Sequence, residues 1–159
     1  MVVAIEAVLV PRVAETYVVV TEPVRERVEA AVKSTVLVDA GAGPLGALQV
    51  VARRARSPWI LLVGGDHPRP GFEVVEALHA AVTEDRDAVA IRLDGFGQPL
   101  WALYRRDAVL NLVDPPRSLF GALQRLSTRW IDGDSMPEAV RAVFEDVDTL
   151  EDARRYGLG

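Results

Sequence analysis

Residues 59–63, Trp-Ile-Leu-Leu-Val, form an unbroken apolar run that stops at Gly64-Gly65-Asp66. No position alternates to polar, so the run predicts a strand buried on both faces and central in its sheet. The two glycines remove side chains where the strand ends, which lets another group approach the backbone closely. Asp66 then places a carboxylate at the carboxyl end of that strand, the edge at which open α/β sheets bind ligands. A carboxylate there suits Mg²⁺ holding a nucleotide triphosphate. It suits equally well a cap for a helix near Pro70, or a turn.

The rest of the chain alternates helix and strand. Residues 2–10 are apolar on most sides and predict a buried helix. Residues 16–20 predict a strand. Pro23 opens a helix over 24–33 with Val24, Val28 and Val32 on one stripe. A short strand follows at 35–38, then a glycine loop at 41–46 and a helix at 45–55. After the Trp59 strand, a helix at 71–83 carries Phe72, Val75, Leu78 and Val82 at helical spacing. A strand at 87–93 leads through the turn Asp94-Gly95-Phe96-Gly97 to an antiparallel strand at 99–104. Helices at 118–126 and 149–156 flank a strand at 129–132. The polar stretch 132–135 reads as a mobile loop. This order predicts an α/β, three-layer, Rossmann-like fold: a mostly parallel sheet with one antiparallel strand and helices on both faces.

Composition narrows the function. The 159 residues suit one domain, spanning 1–159, with a real core. A net charge of -5 argues against nucleic acid as main partner. The absence of cysteine removes disulfides and thiolate chemistry. Lys33 is the only lysine, which leaves almost no place for lysine catalysis. No run reads as a signal peptide or a membrane span, so a cytoplasmic protein is expected.

Two further clusters accompany Asp66. Asp39-Ala-Gly-Ala-Gly-Pro-Leu-Gly lies between a strand and a helix, so backbone N–H groups line a helix N-terminus. Asp39 can accept from ring N–H groups of a nucleobase, and the glycines allow close approach. The same residues also make an ordinary strand-to-helix turn. Phe144-Glu-Asp-Val-Asp-Thr-Leu-Glu-Asp carries Asp146 and Asp148 at extended spacing, pointing the same way. They could complete a metal site with Asp66, or form solvated surface.

The three clusters, in this order, resemble the molybdenum-cofactor nucleotidylyltransferases of the guanylyltransferase type. The likeness rests on Asp39 with Gly43-Pro44-Leu45-Gly46, on Trp59 to Pro68, and on the 144–152 segment. The stretch from Asp94-Gly95 to Arg106 resembles the region where that family's sheet turns antiparallel. By resemblance, the fold is of nucleotidyltransferase type. Asp66 would bind Mg²⁺, helped by Asp146 and Asp148. Asp39, Gly43, Pro44 and Leu45 would meet the nucleotide. GTP and molybdopterin would be the partners, with a homo-oligomer as a further expectation.

One departure is large. The family opens with a strand and a Leu-Ala-Gly-Gly-x-Ser-x-Arg loop that cradles the triphosphate. No such loop occurs in this sequence. Met1 falls inside what resembles the family's first helix, so a chain truncated relative to the family is expected, with a gap at the sheet centre. Either coding sequence continues upstream, or this is a degenerate homologue, or it is a binding or assembly protein of the same fold. No catalytic residue is assigned, and little or no transfer is expected. His67 reads as a loop residue and His79 as solvated. Arg53, Arg54 and Arg56 read as a solvated helix end. Trp101 and Trp130 read as packing.

Overall fold

The computed structural model describes residues 9–67, 71–113, 116–145 and Arg154. After a 3₁₀ turn at Val10–Arg12 come β1 (Tyr17–Val20), a second 3₁₀ turn (Glu22–Val24) and α1 (Arg25–Glu29). Next are β2 (Thr35–Val38), α2 (Gly43–Arg54), β3 (Trp59–Val63) and α3 (Phe72–Ala80). The second half holds β4 (Ala88–Leu93), β5 (Phe96–Arg105), α4 (Arg106–Leu110) and α5 (Leu119–Arg125). β6 (Thr128–Asp132), α6 (Glu138–Arg141) and a 3₁₀ turn at Ala142–Phe144 complete it. Among the described residues no helix is long and apolar enough to cross a membrane. The helix expected at 149–156 lies outside the described residues except for Arg154, which is helical. Of the helix expected at 2–10, only Leu9 and Val10 are described.

Strand period builds three layers. Alternate residues of a strand point to opposite faces. On β4, Ala88 and Ala90 join one buried cluster, and Val89 and Ile91 the other. On β5, Ala102 and Tyr104 go with the first, and Trp101 and Leu103 with the second. Helices α2, α4 and α5 cover the first face through Leu48, Val109 and Leu123. α3 and the 142–144 turn cover the second through Val74, Leu78 and Phe144. Ser118 starts α5 as an N-cap, its Oγ accepting from the Gly121 N–H at 3.1 Å. That satisfies one of the helix's first free donors.

The strands divide into two sheets. β1 pairs with β2 in parallel. The other sheet has the order β3-β5-β4-β6, in which β5 is antiparallel to both neighbours and β4 parallel to β6. The two-residue turn Asp94-Gly95, with φ of 51° and 79°, joins β4 to β5. This is the left-handed pair a tight hairpin requires. β5 therefore starts at Phe96 rather than Pro99, and Phe96-Gly97 belong to the strand.

Three expectations are corrected. Trp59–Val63 is not central: it ends the four-stranded sheet, because among the described residues nothing pairs with its second edge. Residues 132–135 are not a loose loop. Gly133 N–H donates to the Arg92 carbonyl (2.7 Å), Asp94 N–H to Asp134 Oδ1 (2.8 Å) and Ser135 Oγ to the Asp132 carbonyl (2.8 Å). α1 is also shorter than expected and follows a 3₁₀ turn, although Val24, Val28 and Val32 form the half-buried stripe.

Glu15 ties the two sheets together at one end. Its Oε1 accepts from the N–H groups of Arg56 (2.9 Å) and Ser57 (3.0 Å), just before β3. Its Oε2 accepts from the Tyr17 hydroxyl on β1 (2.7 Å). The Tyr17 hydroxyl, then the backbone donors, stabilise the ionised form and lower the Glu15 pKa from 4.5 to about 2. Because the folded-state value is depressed, the stability it contributes is present above about pH 4.5 and is lost as pH falls toward 2. Glu15→Gln is expected to lower the thermal midpoint at pH 7, with a deficit that shrinks from about pH 4.5 downward. A deficit constant across that range would mean that the charge contributes nothing.

Candidate functional site

A cavity of about 1090 Å³ occupies the space between β1 and β3. Tyr17–Val20 line one side and Trp59–Val63 the other. Ala47 and Val51 of α2, and Phe72 and Val75 of α3, also line it. Glu15 and Ser57 stand at its amino end; Val20, Thr21, Gly64 and Gly65 stand where β1 and β3 finish. β1 and β3 therefore begin side by side at the Glu15 tie and run the same way along the cavity.

Asp66 lines this cavity, half-buried, just past the carboxyl end of β3. Its Oδ1 is buried and has no hydrogen-bond partner among the described residues. Gly64 makes that position possible: a Cβ there would lie 2.5 Å from Asp66 Oδ1 and 2.8 Å from the His67 ring. His67 is 3% exposed, not the solvent-facing loop residue expected, and its ring packs on Trp101 at 5.6 Å between centroids. Trp101 lies opposite Val63 in the β3–β5 register and is itself 1% exposed. Asp66 thus rests on a floor built by the neighbouring strand.

The second cluster meets the same cavity. Asp39 is buried after β2, and its Oδ1 accepts from the Ala42 N–H at 3.1 Å. This is the turn-forming role, and Asp39 also lines the cavity. Gly43, with φ +72°, adopts the left-handed backbone that favours glycine, and starts α2 one residue before Pro44. Gly43 and Pro44 line the cavity, whereas Leu45 turns into the core at 6% exposure. No side chain caps α2, so its first N–H groups and its positive dipole end point to the region of Asp39.

Asp146 and Asp148 lie outside the described residues. Among the described residues no three metal-ligating side chains come together. Among the described residues acidic groups dominate the cavity: Glu15, Asp39, Asp66 and Glu76 line it, against Arg12 and His79. Arg12 stacks over the Phe72 ring at 4.1 Å. His79 is exposed on α3, and Arg53, Arg54 and Arg56 are exposed, as expected. Trp130 is half-buried beneath the Arg92 guanidinium at 4.7 Å, a packing role.

Sequence reasoning passed over Glu15 and read Trp101 as packing without placing it at the site. Trp101 supports the Asp66 loop from another strand, which only the β3–β5 register reveals. Glu15 is a lone acid in sequence, with no neighbour to mark it. Besides Tyr17, two residues on, its partners lie 41 and 42 residues away.

The family model described as the MobA-like NTP transferase domain matches residues 1–131. The molybdenum cofactor guanylyltransferase of Vibrio atlanticus is 26% identical over 121 residues, 72% of this chain and 59% of that protein. The protein of the same name from Vibrio vulnificus is 24% identical over 119 residues, again 72% and 59%. The chain therefore spans about three-fifths of the length of these relatives. The crystal structure of molybdopterin-guanine dinucleotide biosynthesis protein A from Archaeoglobus fulgidus superposes with a TM-score of 0.72. It shares 20% identity, with 96% of this chain and 83% of that one covered. A protein from Aquifex aeolicus superposes at 0.70, with 16% identity and 92% and 79% covered. At these identities the structural likeness speaks for the fold.

Proposed function

The chain belongs to the MobA-like NTP transferase family, and we propose that it binds a guanosine triphosphate with Mg²⁺ at the carboxyl edge of its sheet without completing guanylyl transfer by itself. The observation that carries this reading is the position of Asp66. A buried carboxylate oxygen with no partner among the described residues stands at the end of β3, in one cavity with Asp39 and the start of α2. An orphaned acceptor of this kind costs stability unless a donor or cation meets it. Mg²⁺ is commonly held by one or two carboxylates, with phosphate oxygens and water supplying the rest. Asp66 fits that requirement, and Asp146 and Asp148 are the further candidates. When bound, the ion would neutralise charge on the triphosphate.

The base side follows from the second cluster. Asp39 offers a carboxylate to ring N–H groups, and the free N–H groups at the start of α2 offer donors to ring carbonyls. Together they provide the two kinds of partner that the edge of guanine requires. Molybdopterin is the acceptor by kinship with the relatives' named activity.

Charge limits the chemistry. Phosphoryl-type transfer needs positioned positive groups around the triphosphate. Among the described residues lining the cavity, Glu15, Asp39, Asp66 and Glu76 stand against Arg12 and His79. The same balance supports the second reading, a nucleotide-binding or assembly protein of this fold. The expected result in calorimetry is GTP binding in the presence of Mg²⁺ and none in its absence. Equal heats with and without Mg²⁺ would remove the metal from the account.

A further inference from the structure

We propose that Tyr104 is a positioning residue for Asp66: its hydroxyl clamps a bulge in β5, and the bulge holds the loop that carries the carboxylate. The inference deepens the nucleotide site proposed above, and its ligand readout rests on that reading.

The bulge is visible in the strand register. Ala102 of β5 stands opposite Ala90 of β4, yet Gln98 stands opposite the very next residue, Ile91. Pro99, Leu100 and Trp101 therefore have no partner on β4. Proline suits such a place, because it has no N–H to give to a ladder. On its other edge β5 stays paired with β3. Trp101 stands opposite Val63, and the Leu100 carbonyl accepts from the Gly64 N–H at 3.3 Å. Bulges bend their strand and re-aim its side chains, often beside functional sites. This one keeps β5 joined to the chain as far as Gly64, where β3 has already ended.

Tyr104 closes the bulge. Its side chain is fully buried, on the opposite face of β5 from Trp101. The hydroxyl donates to the Pro99 carbonyl, five residues back along the same strand, at 2.8 Å. Pro99 has no β4 partner, so the hydroxyl gives its carbonyl a donor that the ladder does not. Burial raises the Tyr104 pKa above its ordinary value of 10.0, which keeps the hydroxyl a donor near neutral pH.

From the bulge the path to Asp66 is short. Trp101 packs against the His67 ring at 5.6 Å. Gly64, bonded to Leu100, lies so near Asp66 that a Cβ on it would meet Oδ1 at 2.5 Å. Asp66 Oδ1 has no hydrogen bond of its own among the described residues. Its place is therefore set from the bulge, through Gly64 and His67.

The test compares the full chain with Tyr104→Phe, which removes the hydroxyl and keeps the ring. Val109→Ala, on α4 in the same buried cluster, controls for lost stability alone. Native-state hydrogen exchange reads the clamp with no ligand present. In Tyr104→Phe the Gly64 amide is expected to exchange about three- to tenfold faster relative to the amides of 59–63, the worth of one hydrogen bond. Val109→Ala is expected to leave that ratio unchanged. The Mg²⁺ concentration for half-maximal GTP binding in calorimetry is expected to rise by a similar factor in Tyr104→Phe only. An unchanged Gly64 ratio in Tyr104→Phe would overturn the proposal. So would an unchanged Mg²⁺ requirement where the wild-type chain binds GTP, or an equal rise in Val109→Ala. Failure of the wild-type chain to bind GTP with Mg²⁺ would count against the nucleotide reading instead, and the Gly64 ratio would still decide the clamp.

Discussion

Replacing Trp101 with alanine is expected to lower unfolding stability by about 3–5 kcal/mol, the range for removing a buried large aromatic. Trp101 is 1% exposed and sits between the His67 ring and the Phe144 ring, the latter edge-on at 6.4 Å. It packs beneath the segment that carries Asp66. Domains of this size hold about 5–15 kcal/mol in all, so the loss is a large share. The thermal midpoint is expected to fall by about 10 °C or more. Trp101→Phe supplies the control. The indole Nε1 is buried with no hydrogen-bond partner among the described residues, so phenylalanine removes an unsatisfied donor along with some volume. It is expected to cost less than about 1.5 kcal/mol. An alanine variant as stable as the phenylalanine variant would show that Trp101 does not support this face of the sheet.

Asp66→Asn is expected to abolish Mg²⁺-dependent GTP binding while leaving the thermal midpoint nearly unchanged. The two effects separate because of where the side chain stands. Its buried oxygen makes no hydrogen bond among the described residues that the amide would forfeit, and asparagine has nearly the same shape. A metal-binding carboxylate contributes several kcal/mol of charge compensation. Losing it weakens binding by at least about a hundredfold. Calorimetric titration of both proteins, with thermal melts alongside, measures the two quantities. Undiminished binding by the variant would make Asp66 a turn former and nothing more.

Much of the fold was legible because it rests on local pattern. β3 and β4 read from their apolar runs, the α3 helix from its spacing, and the hairpin from Asp94-Gly95. α3 buries Val74 and Leu78 most deeply, so of the stripe read at Phe72, Val75, Leu78 and Val82 only Leu78 is fully buried. The short helices α4 and α6 escaped notice, since five and four residues carry too little period to register. The place of β3 in its sheet was not legible. An apolar run reports burial on both faces, and β3 has that from α2 and α3, but it does not report who pairs with each edge. The cavity lies between β1 and β3, and among the described residues β3 stands at the end of its sheet.

The site was legible to a similar degree. Asp66, Asp39, Gly43 and Pro44 meet one cavity, as their positions after strands suggested. Leu45 does not, because helical rotation turns it toward Leu48 and the core. His67 is buried because Gly64 leaves room for its ring beside the strand end and Trp101 offers a surface to pack on. Neither cause lies within reach of a local reading.

The central proposal is that this chain holds a guanosine nucleotide in a cavity whose described lining sets four acids against Arg12 and His79, and does not complete transfer by itself. Its most direct test incubates the 159-residue chain with GTP, Mg²⁺ and molybdopterin and measures dinucleotide formed and pyrophosphate released. The account expects Mg²⁺-dependent GTP binding with turnover no higher than in the absence of protein, because missing charge around a transferred phosphoryl group costs several powers of ten in rate. Robust turnover by this chain alone would contradict it.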